Sequence, residues 1–540
     1  MIKFSSPSFK VIPFNKGIND QVSNIEMGPS ELYACQNYEL SDGAYSGLKS
    51  VFGYERYDGT ALASTVPVVK DSDGIVTDDT DRQAARDLIE SVPGSSSILS
   101  VFTFNGKEYA IRYETDRHEL YEATGSGWVQ NSSFHALNIA SSSGIIYDVK
   151  KGRFALYPSA VPNEEIVILC NSVSNPIALY VDGSSNTIAE SIAGGDLPTT
   201  EYPTLSIVHS NKLLLAYPNG HLFVSGVGSP LYWSAVSDLA FEIFFGDEIT
   251  NMVITPSSVI IFMEGSIKYM SSPDGIDIIV NTFSDTSGAI KGTALNFLGT
   301  VLYCSQVGIV SVETTDALGD FKAASISRNI QKFYLANKHR IIGAVSDKEK
   351  NQYVIYFNNG RGIICTFNIE RKLKGATTFK YIHNPTCMYE REYFGSSDGY
   401  VFSINSAAQS FDCNTIESFA FTSFYGYGSP VLYKQFKKMT LELSASKGTL
   451  INTRPVYEYG SSSAAKASLE DIYGSTDEGV WGDSEWGSFV WSSTSQGIEY
   501  VYIRGIASNM SAQFSSSDKY HAQHTLQNIT VTYNKRSLVL

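Results

Sequence analysis

The segment Gly395-Ser396-Ser397-Asp398-Gly399 has the Gly-x-Ser-x-Gly spacing of a nucleophile elbow. In α/β-hydrolases this elbow exposes its serine because a strand turns sharply into a helix. Here residues 400–404 read Tyr-Val-Phe-Ser-Ile, a composition that favours a strand. We therefore predict a hairpin turn at 395–399 and no catalytic role for Ser397.

A second group of reactive side chains lies in a tryptophan-rich segment, residues 480–491. Asp483 and Glu485 stand among three tryptophans, Trp481, Trp486 and Trp491. A carboxylate pair beside aromatic surfaces could act on a sugar, but two residues of one loop have no fixed separation. Tryptophans bury large areas at interfaces, so we predict that these three pack or dock against a partner, with carbohydrate contact as the alternative.

Potential metal ligands are the next group. His521 and His524 are three residues apart with no third ligand nearby in the sequence. An acidic run could suggest calcium, but Ile75 stands where an EF-hand loop needs its third oxygen ligand. The aspartates of this run are Asp71, Asp73, Asp78, Asp79 and Asp81. The sequence also has no P-loop, so we predict neither a metal ion nor another cofactor.

The composition narrows the classes of protein further. The chain has 540 residues, a formal net charge of −15, 33 tyrosines, 29 phenylalanines and 43 glycines. Such an acidic chain binds nucleic acid poorly without a basic cluster, and the most basic stretch, Lys434–Lys438, is interpreted as a solvated edge. The six cysteines form no Cys-x-x-Cys pair, which favours free thiols in a reducing compartment. The sequence contains neither a secretory signal pattern nor an apolar run that could span a bilayer, so we expect no membrane anchor.

The elements that would position these residues are β-hairpins. Apolar runs flank tight turns near residues 219, 265, 308, 360 and 397, and Asn219-Gly220 supplies the positive φ angles of a two-residue turn. The turns are about 37 to 52 residues apart, close to the length of a four-stranded propeller blade. The sequence thus predicts an all-β protein built around a β-propeller of six or seven blades.

Four regions follow from this pattern. Residues 1–60 form an extended arm that packs with the C-terminal domain, because the arm is too short to fold alone. Residues 61–97 form an acidic inserted loop and a short helix with helical spacing from Asp81 to Val92. Residues 98–425 form the propeller. Residues 426–540 alternate as half-buried strands do and form a β-sandwich that carries the tryptophan-rich segment.

An ordered series of segments resembles the tail nozzle proteins of short-tailed bacteriophages, also called tail tubular protein B or packaged-DNA stabilisation proteins. The series includes residues 211–234, Gly246-Asp247-Glu248-Ile249-Thr250 before Val259-Ile260-Ile261-Phe262, and Gly308-Ile309-Val310 before Ile326-Ser327-Arg328-Asn329-Ile330. A Trp-Gly segment near the C-terminus is similar as well. The resemblance spreads over most of the chain, although no single motif is specific.

This resemblance implies a structural virion protein rather than an enzyme. Such a subunit forms a homohexameric ring below the portal and the adaptor, or head-to-tail connector, and holds tail fibres or tailspikes. Its partners extend to a tail needle or plug, and double-stranded DNA passes through it without specific binding. The expected location is the virion tail after synthesis in the host cytoplasm. A propeller glycan-binding protein or glycan hydrolase at a cell or phage surface is the alternative.

The net charge adds one expectation about the channel of such a ring. Six copies of −15 give −90, and an acidic wall would repel DNA and let it slide. Salt screens this field over about 8–10 Å, so only residues near the wall count. We therefore expect a net-negative lumen, with the acidic loop from Asp71 to Asp81 as a contributor.

Overall fold

The chain folds almost entirely into β-strands. The computed structural model describes residues 7–23, 26–41, 46–139, 146–154, 164–182, 184–237, 239–256, 258–271, 278–312, 326–460, 470–473 and 496–538. Three short α-helices and five 3-10 turns occur in these ranges. The helices are α1 (Thr80–Leu88), α2 (Ser132–Ala136) and α3 (Gln331–Asn337), and the 3-10 turns are Ala63–Thr65, Pro218–Gly220, Arg328–Ile330, Lys338–Arg340 and Glu458–Gly460.

The N-terminal arm contributes five strands that join three different sheets. They are β1 (Ser8–Pro13), β2 (Leu32–Gln36), β3 (Tyr38–Ser41), β4 (Gly47–Ser50) and β5 (Gly53–Tyr57). A small antiparallel hairpin follows, formed by β6 (Val69–Lys70) and β7 (Val76–Asp78). Helix α1 comes next and is shorter than the predicted one. Its buried residue is Arg82, whereas Leu88, inside the segment whose spacing predicted the helix, is 80% exposed.

Seven successive antiparallel sheets then form the blades of a β-propeller. The first blade has β8 (Ser95–Phe104), β9 (Lys107–Glu114), β10 (Arg117–Thr124) and β11 (Gly127–Gln130), the second has β12 (Asp148–Arg153), β13 (Glu165–Cys170), β14 (Ile177–Val181) and β15 (Thr187–Ser191), and the third has β16 (Leu205–His209), β17 (Lys212–Ala216), β18 (His221–Val224) and β19 (Phe241–Phe244). The fourth blade has β20 (Ile249–Ile254), β21 (Ser258–Met263), β22 (Ile267–Ser271) and β23 (Ile279–Ser284), and the fifth has β24 (Leu295–Phe297), β25 (Thr300–Cys304) and β26 (Ile309–Ser311). The sixth blade has β27 (Ile341–Asp347), β28 (Gln352–Phe357), β29 (Arg361–Phe367) and β30 (Leu373–Lys380), and the seventh has β31 (Pro385–Tyr389), β32 (Tyr393–Ser396) and β33 (Val401–Asn405).

The first strands of the seven blades form a closed ring. Each of β8, β12, β16, β20, β24, β27 and β31 lies beside the next one, and β31 returns to β8. The seventh blade takes its fourth strand from the arm, because β5 pairs antiparallel with β33. The predicted propeller is therefore confirmed, with seven blades.

The predicted turns have the expected φ angles, but one of them is longer than predicted. Asn105 and Gly106, at 49° and 72°, form a two-residue turn between Phe104 of β8 and Lys107 of β9. Asn219 and Gly220 have φ angles of 62° and 83°, yet they belong to a 3-10 turn, Pro218–Gly220, that joins β17 to β18, so the predicted two-residue turn is wrong there. Asparagine and glycine tolerate this left-handed region at low cost, which explains why the local sequence sets these turns.

The last seven strands belong to a β-sandwich. They are β34 (Ile416–Thr422), β35 (Leu432–Ser444), β36 (Leu450–Tyr457), β37 (Glu470–Tyr473), β38 (Gln496–Ala507), β39 (Met510–Asp518) and β40 (Thr525–Leu538). One layer has the order β3-β4-β40-β35-β38, with β1 also paired to β40, and the other has the order β2-β34-β39-β36-β37. Aromatic contacts such as Phe14–Phe514, with ring centroids 5.5 Å apart, join the two layers.

Two of the expected boundaries need correction. Residues 416–422 were placed in the propeller, yet β34 pairs with β39 inside the sandwich. Residues 53–57 were placed with the C-terminal domain, yet β5 completes the seventh blade. β34 alternates as many other strands do, and β5 is a short strand with three buried residues in succession, so neither sequence indicates which free sheet edge the strand joins.

The propeller and the sandwich are continuous through one sheet. Strand β2 pairs with β34 of the sandwich and, through Gln36 and Thr378, with the outer strand β30 of the sixth blade. The arm passes very close to this blade, since a Cβ atom on Gly17 would lie 2.2 Å from the carbonyl oxygen of Ala376. One apolar core, containing Phe436 of the sandwich and Tyr353 of the blade, runs across the junction.

Candidate functional site

Ser397 lies in a hairpin turn, as predicted. Strand β32 ends at Ser396, Gly399 has a φ of 84°, and β33 begins at Val401. The Ser397 hydroxyl donates to Asp398 at 3.2 Å, and its backbone N–H donates to the carbonyl of Asn384. A strand rather than a helix follows, so the geometry of a nucleophile elbow does not arise here.

Ser397 also borders a cavity of about 240 Å³ between the first, sixth and seventh blades. Apolar and uncharged polar residues line it: Ser97, Ile98, Leu99, Ile146, Ile342, Asn358, Asn384, Pro385, Thr386 and Ser397. Within this lining no residue can act as a general acid or base near neutral pH. The cavity therefore offers Ser397 no activating partner.

Trp481, Trp486 and Trp491, together with Asp483 and Glu485, are outside the described residues.

His521 and His524 do come together, around the carboxylate of Asp518. His521 Nδ1 lies 2.5 Å from one Asp518 oxygen, and His524 Nδ1 lies 3.8 Å from the other. Burial alone would raise the pKa of Asp518, but hydrogen bonds and charge from the two histidines lower it to about 2. In the described part of the chain, no three His, Cys, Asp or Glu side chains adopt an arrangement suited to a metal ion.

The outer nitrogens of the two histidines connect three segments of the chain. His524 Nε2 lies 2.7 Å from the hydroxyl of Tyr38 in the arm. His521 Nε2 lies 2.9 Å from the carbonyl oxygen of Gly74 in the acidic hairpin, residues 69–78. Since buried polar atoms are costly unless they are paired, this cluster fixes the arm and the hairpin to the sandwich.

A buried ion cluster joins the arm to the propeller. Glu39, which is 2% exposed, lies 2.6 Å from Lys350 and 3.0 Å from Arg391. Burial would raise the pKa of Glu39, but the charges of Arg391 and Lys350 hold it below its ordinary value. Arg391 also approaches Asp347 at 3.6 Å. The charged groups therefore neutralise one another across the sixth and seventh blades.

The strand that closes the propeller is anchored by aromatic and charged contacts. Tyr54 of β5 is fully buried and lies within 5.3 Å, centroid to centroid, of four rings. Those rings belong to Tyr381, Phe394, Phe402 and Phe411. Beside it, Arg56 donates to the buried carboxylate of Asp412 at 3.1 Å.

The five aspartates of the acidic run lie at one end of the sandwich. Asp79 pairs with Lys519 at 2.5 Å, and although burial would raise its pKa, hydrogen bonds from Lys519 and Gln83 lower it. Asp71 accepts hydrogen bonds from the backbone of its own turn, and Asp78 accepts them from Thr80. Asp71, Asp73, Asp78 and Asp81 are exposed. The lumen position of these residues stays a prediction.

Sequence reasoning missed one surface. On strand β38 the exposed side chains alternate with buried ones, and the exposed set is Ile498, Tyr500, Tyr502, Arg504 and Ile506. Lys437 and Lys438 lie beside them on β35, and the ammonium of Lys438 is 3.5 Å from the centre of the Tyr500 ring. We call these seven residues the basic tyrosine face. Their alternation from residue 498 to 506 was the signal that could have revealed it.

The basic stretch beside this face is not simply a solvated edge. Lys434 is fully buried, and its ammonium donates to the carbonyl of Ser508 at 2.7 Å and to that of Ser429. Burial, and then the charge of Lys535, lower its pKa to about 8. The first half of β35 therefore has one structural lysine and two accessible ones.

All six cysteines are free thiols and all are buried. In the described part of the chain, every helix is too short or too polar to cross a bilayer.

Comparison with known proteins finds similarity among solved structures, of which two are described here. No protein-family model matches this sequence, and no curated protein matches it. The chain is similar to the WD40 beta propeller domain of Doa1 at 12% identity, with a TM-score of 0.34, over 59% of this chain and 96% of that one. It is also similar to the computationally designed Ika8 protein at 12% identity, with a TM-score of 0.32, over 58% of this chain and 98% of that one.

Proposed function

We propose that this protein is a tail nozzle subunit of a short-tailed bacteriophage, and that six copies form a ring which conducts DNA during ejection. The observation that carries the proposal is the course of the N-terminal arm. It adds strands to both layers of the sandwich and then closes the seventh blade with β5. Neither domain is complete without the first 57 residues, so the two form one body.

Two domains that form one body suit the wall of a DNA channel. A wall under pressure from packaged DNA has to keep its shape, and a hinge between two domains would let it bend. Here a nine-stranded sheet runs from the sixth blade into the sandwich, and buried ion pairs cross the same junction. Interfaces of this kind, large and hydrophobic, oppose the relative motion that separate domains usually show.

The rest of the proposal follows from the resemblance to nozzle proteins. The hexamer contacts the adaptor ring on one side, and tail fibres or tailspikes attach to its outside. A tail needle or plug closes the channel until ejection. The chain acts as a structural protein of the virion tail, and none of its residues is assigned a catalytic role.

The native assembly state tests this proposal. Particles from the producing culture should be separated by sedimentation, and the chain located with an antibody and by the mass of the released tail. We expect the chain in the particle fraction, as a ring of six. A chain found only as a free monomer of 59.2 kDa that binds surface glycan would overturn the proposal and favour the glycan-binding alternative.

The charge of the channel gives a second test. If carboxylates dominate the lumen wall, replacing several of them with lysine creates positively charged sites that bind DNA phosphates. DNA ejection in vitro should then be slower. The slowing should be greatest at low salt, where screening is weakest. A hexamer with a net-positive lumen, or ejection rates at low salt that the charge reversals do not change, would refute the hypothesis of an acidic channel.

A further inference from the structure

The basic tyrosine face has the properties of a protein interface. Ile498, Tyr500, Tyr502 and Ile506 are between 50% and 76% exposed, which is unusual for four large side chains on one strand. Tyrosine and arginine are enriched at interfaces because they combine a large contact area with hydrogen bonding. Among the described strands, β38 pairs only with β35 and leaves its other edge open. Open edges readily accept contacts from another chain.

The charge of this face is opposite to that of most of the protein. Lys437, Lys438 and Arg504 lie together on it, whereas the whole chain has a net charge of −15. An isologous contact would place each basic face against itself and bring like charges together. The complementary surface must therefore be acidic.

The same chain presents such a surface beside the turn that follows β35. The acidic hairpin exposes Asp71, Asp73 and Asp78, and beside them Val69 and Ile75 are 59% and 42% exposed. It thus combines negative charge with apolar contact area, as the basic tyrosine face combines positive charge with tyrosines.

Contacts with the sandwich hold the hairpin in place. Lys70 donates to the carbonyl of Tyr520 at 2.8 Å, and His521 lies 2.9 Å from the carbonyl oxygen of Gly74. The Gly74 backbone meets that of Lys447 so closely that a Cβ atom on Gly74 would lie 2.5 Å from the Lys447 carbonyl oxygen. The hairpin is therefore a fixed part of the sandwich surface.

The basic side chains of the face and the acidic hairpin lie at different positions along the same strands. Lys438 of β35 is in register with Tyr502, whereas the turn that follows Ser444 contacts the acidic hairpin. Six residues of strand separate Lys438 from Ser444 by ~20 Å, although the face itself extends towards the hairpin as far as Ile498, which pairs with Glu442. A rigid body with opposite charges on two separate surfaces associates head to tail, and such contacts close into a ring when the rotation allows.

We infer that the basic tyrosine face of one copy docks on the acidic hairpin of the next copy, and that this contact builds the ring. The inference rests on the proposed function for the ring itself and adds which surfaces form it. It places Asp71, Asp73 and Asp78 between subunits rather than in the lumen.

Paired charge reversals test the contact. The first variant is Lys437→Glu with Arg504→Glu, and the second is Asp71→Lys with Asp73→Lys. Either variant alone should stay monomeric, because each brings like charges together at every contact. A mixture of the two should assemble in alternation at a one-to-one ratio, since each reversed surface then meets its complement. Sedimentation velocity and native mass spectrometry at low salt measure the mass and the ratio.

The control reverses two exposed basic residues elsewhere, Lys291→Glu with Arg361→Glu, and should leave assembly unchanged. A wild-type chain that stays monomeric at low salt, or a mixture that fails to assemble, would overturn the inference. If both reversal variants still form rings like those of the wild type, this contact alone is overturned and the proposed function is unaffected.

Two further outcomes assign the surfaces differently and would also overturn the contact. In the first outcome, wild type binds duplex DNA in a salt-dependent way, and the Lys437→Glu, Arg504→Glu variant loses this binding but still forms rings. The basic tyrosine face would then be a DNA contact. Slower ejection from intact rings of the Asp71→Lys, Asp73→Lys variant would place the hairpin in the lumen.

Discussion

Glu39 and Arg391 form an ion pair of 3.0 Å although 352 residues separate them in the chain. Glu39 belongs to β3 of the sandwich, and Arg391 lies between the first two strands of the seventh blade. Their contact shows how closely the arm is integrated with the propeller, because it connects β3 directly to the seventh blade.

Replacing Glu39 with glutamine should destabilise the whole protein. Glu39→Gln leaves the buried Arg391 and the partly buried Lys350 with too little opposing charge, and breaking a buried pair in this way costs about 3–5 kcal/mol. Urea unfolding measures the loss. The matched control is Glu370→Gln, which removes an exposed pair with Lys372 and should change stability by less than about 0.5 kcal/mol. Equal effects of the two variants would contradict the structural role of Glu39.

Asp518 should make stability depend on acid pH. Its pKa falls from an ordinary value of 3.8 to about 2 in the folded protein, so the folded state binds fewer protons than the unfolded state between these values. The stabilisation is therefore complete above pH 3.8 and disappears as the pH falls through 2, with a size of about 2 kcal/mol. In Asp518→Asn this contribution should be missing. The free energies of unfolding of wild type and variant should converge between pH 5 and pH 2, and a constant difference over this range would refute the assignment.

Tyr54 should determine whether the propeller closes. Removing a fully buried aromatic side chain costs about 3–5 kcal/mol, so Tyr54→Ala should loosen β5 and expose the edge of β33. Hydrogen exchange of residues 401–405 should accelerate more than that of the second blade. Tyr473→Ala, at a half-exposed tyrosine of the sandwich, is the control and should alter neither region. Uniform acceleration in all blades would instead indicate global destabilisation.

Strand β1 should protect the last strand of the chain. Ser8 to Pro13 pair with Tyr533 to Asn528, so deleting residues 1–13 leaves the amides of β40 that face β1 without partners. The hydrogen-exchange rates of alternate backbone amides in residues 528–533 should then rise by roughly tenfold or more. A deletion of residues 1–6, which keeps β1 whole, should leave the protection unchanged. Unaltered exchange after the longer deletion would mean that the pairing contributes little.

Ser397 should be dispensable. Its hydroxyl contacts only the neighbouring Asp398 among the described residues, and no general base lines the adjacent cavity. Ser397→Ala should therefore leave the free energy of unfolding within about 0.5 kcal/mol and the infectivity of the particles unchanged. Loss of infectivity from particles with a normally assembled tail would restore a chemical role for this serine.

Local sequence determined the hairpins of this protein. Turn residues such as Asn105-Gly106 and Asn219-Gly220 accept positive φ angles, and the flanking apolar runs then pair with each other across a few residues. The alternation of residues 438–443 likewise indicated a strand with one buried face. These signals were enough to predict an all-β chain with a propeller, because six blades and three strands of the seventh form from neighbouring segments.

Only the tertiary structure decided where the unpaired strands go. β5 is a short strand with no alternating pattern, yet it closes a blade formed by residues 385–405, and β34 joins the sandwich instead of the blade that precedes it. The burial of Lys434, the pairing of Glu39 with Arg391 and the separation of the acidic hairpin from the basic tyrosine face depend on the same long-range choices. A strand's own residues specify which of its faces is buried, but the sheet edge it joins depends on which edges the rest of the fold leaves open.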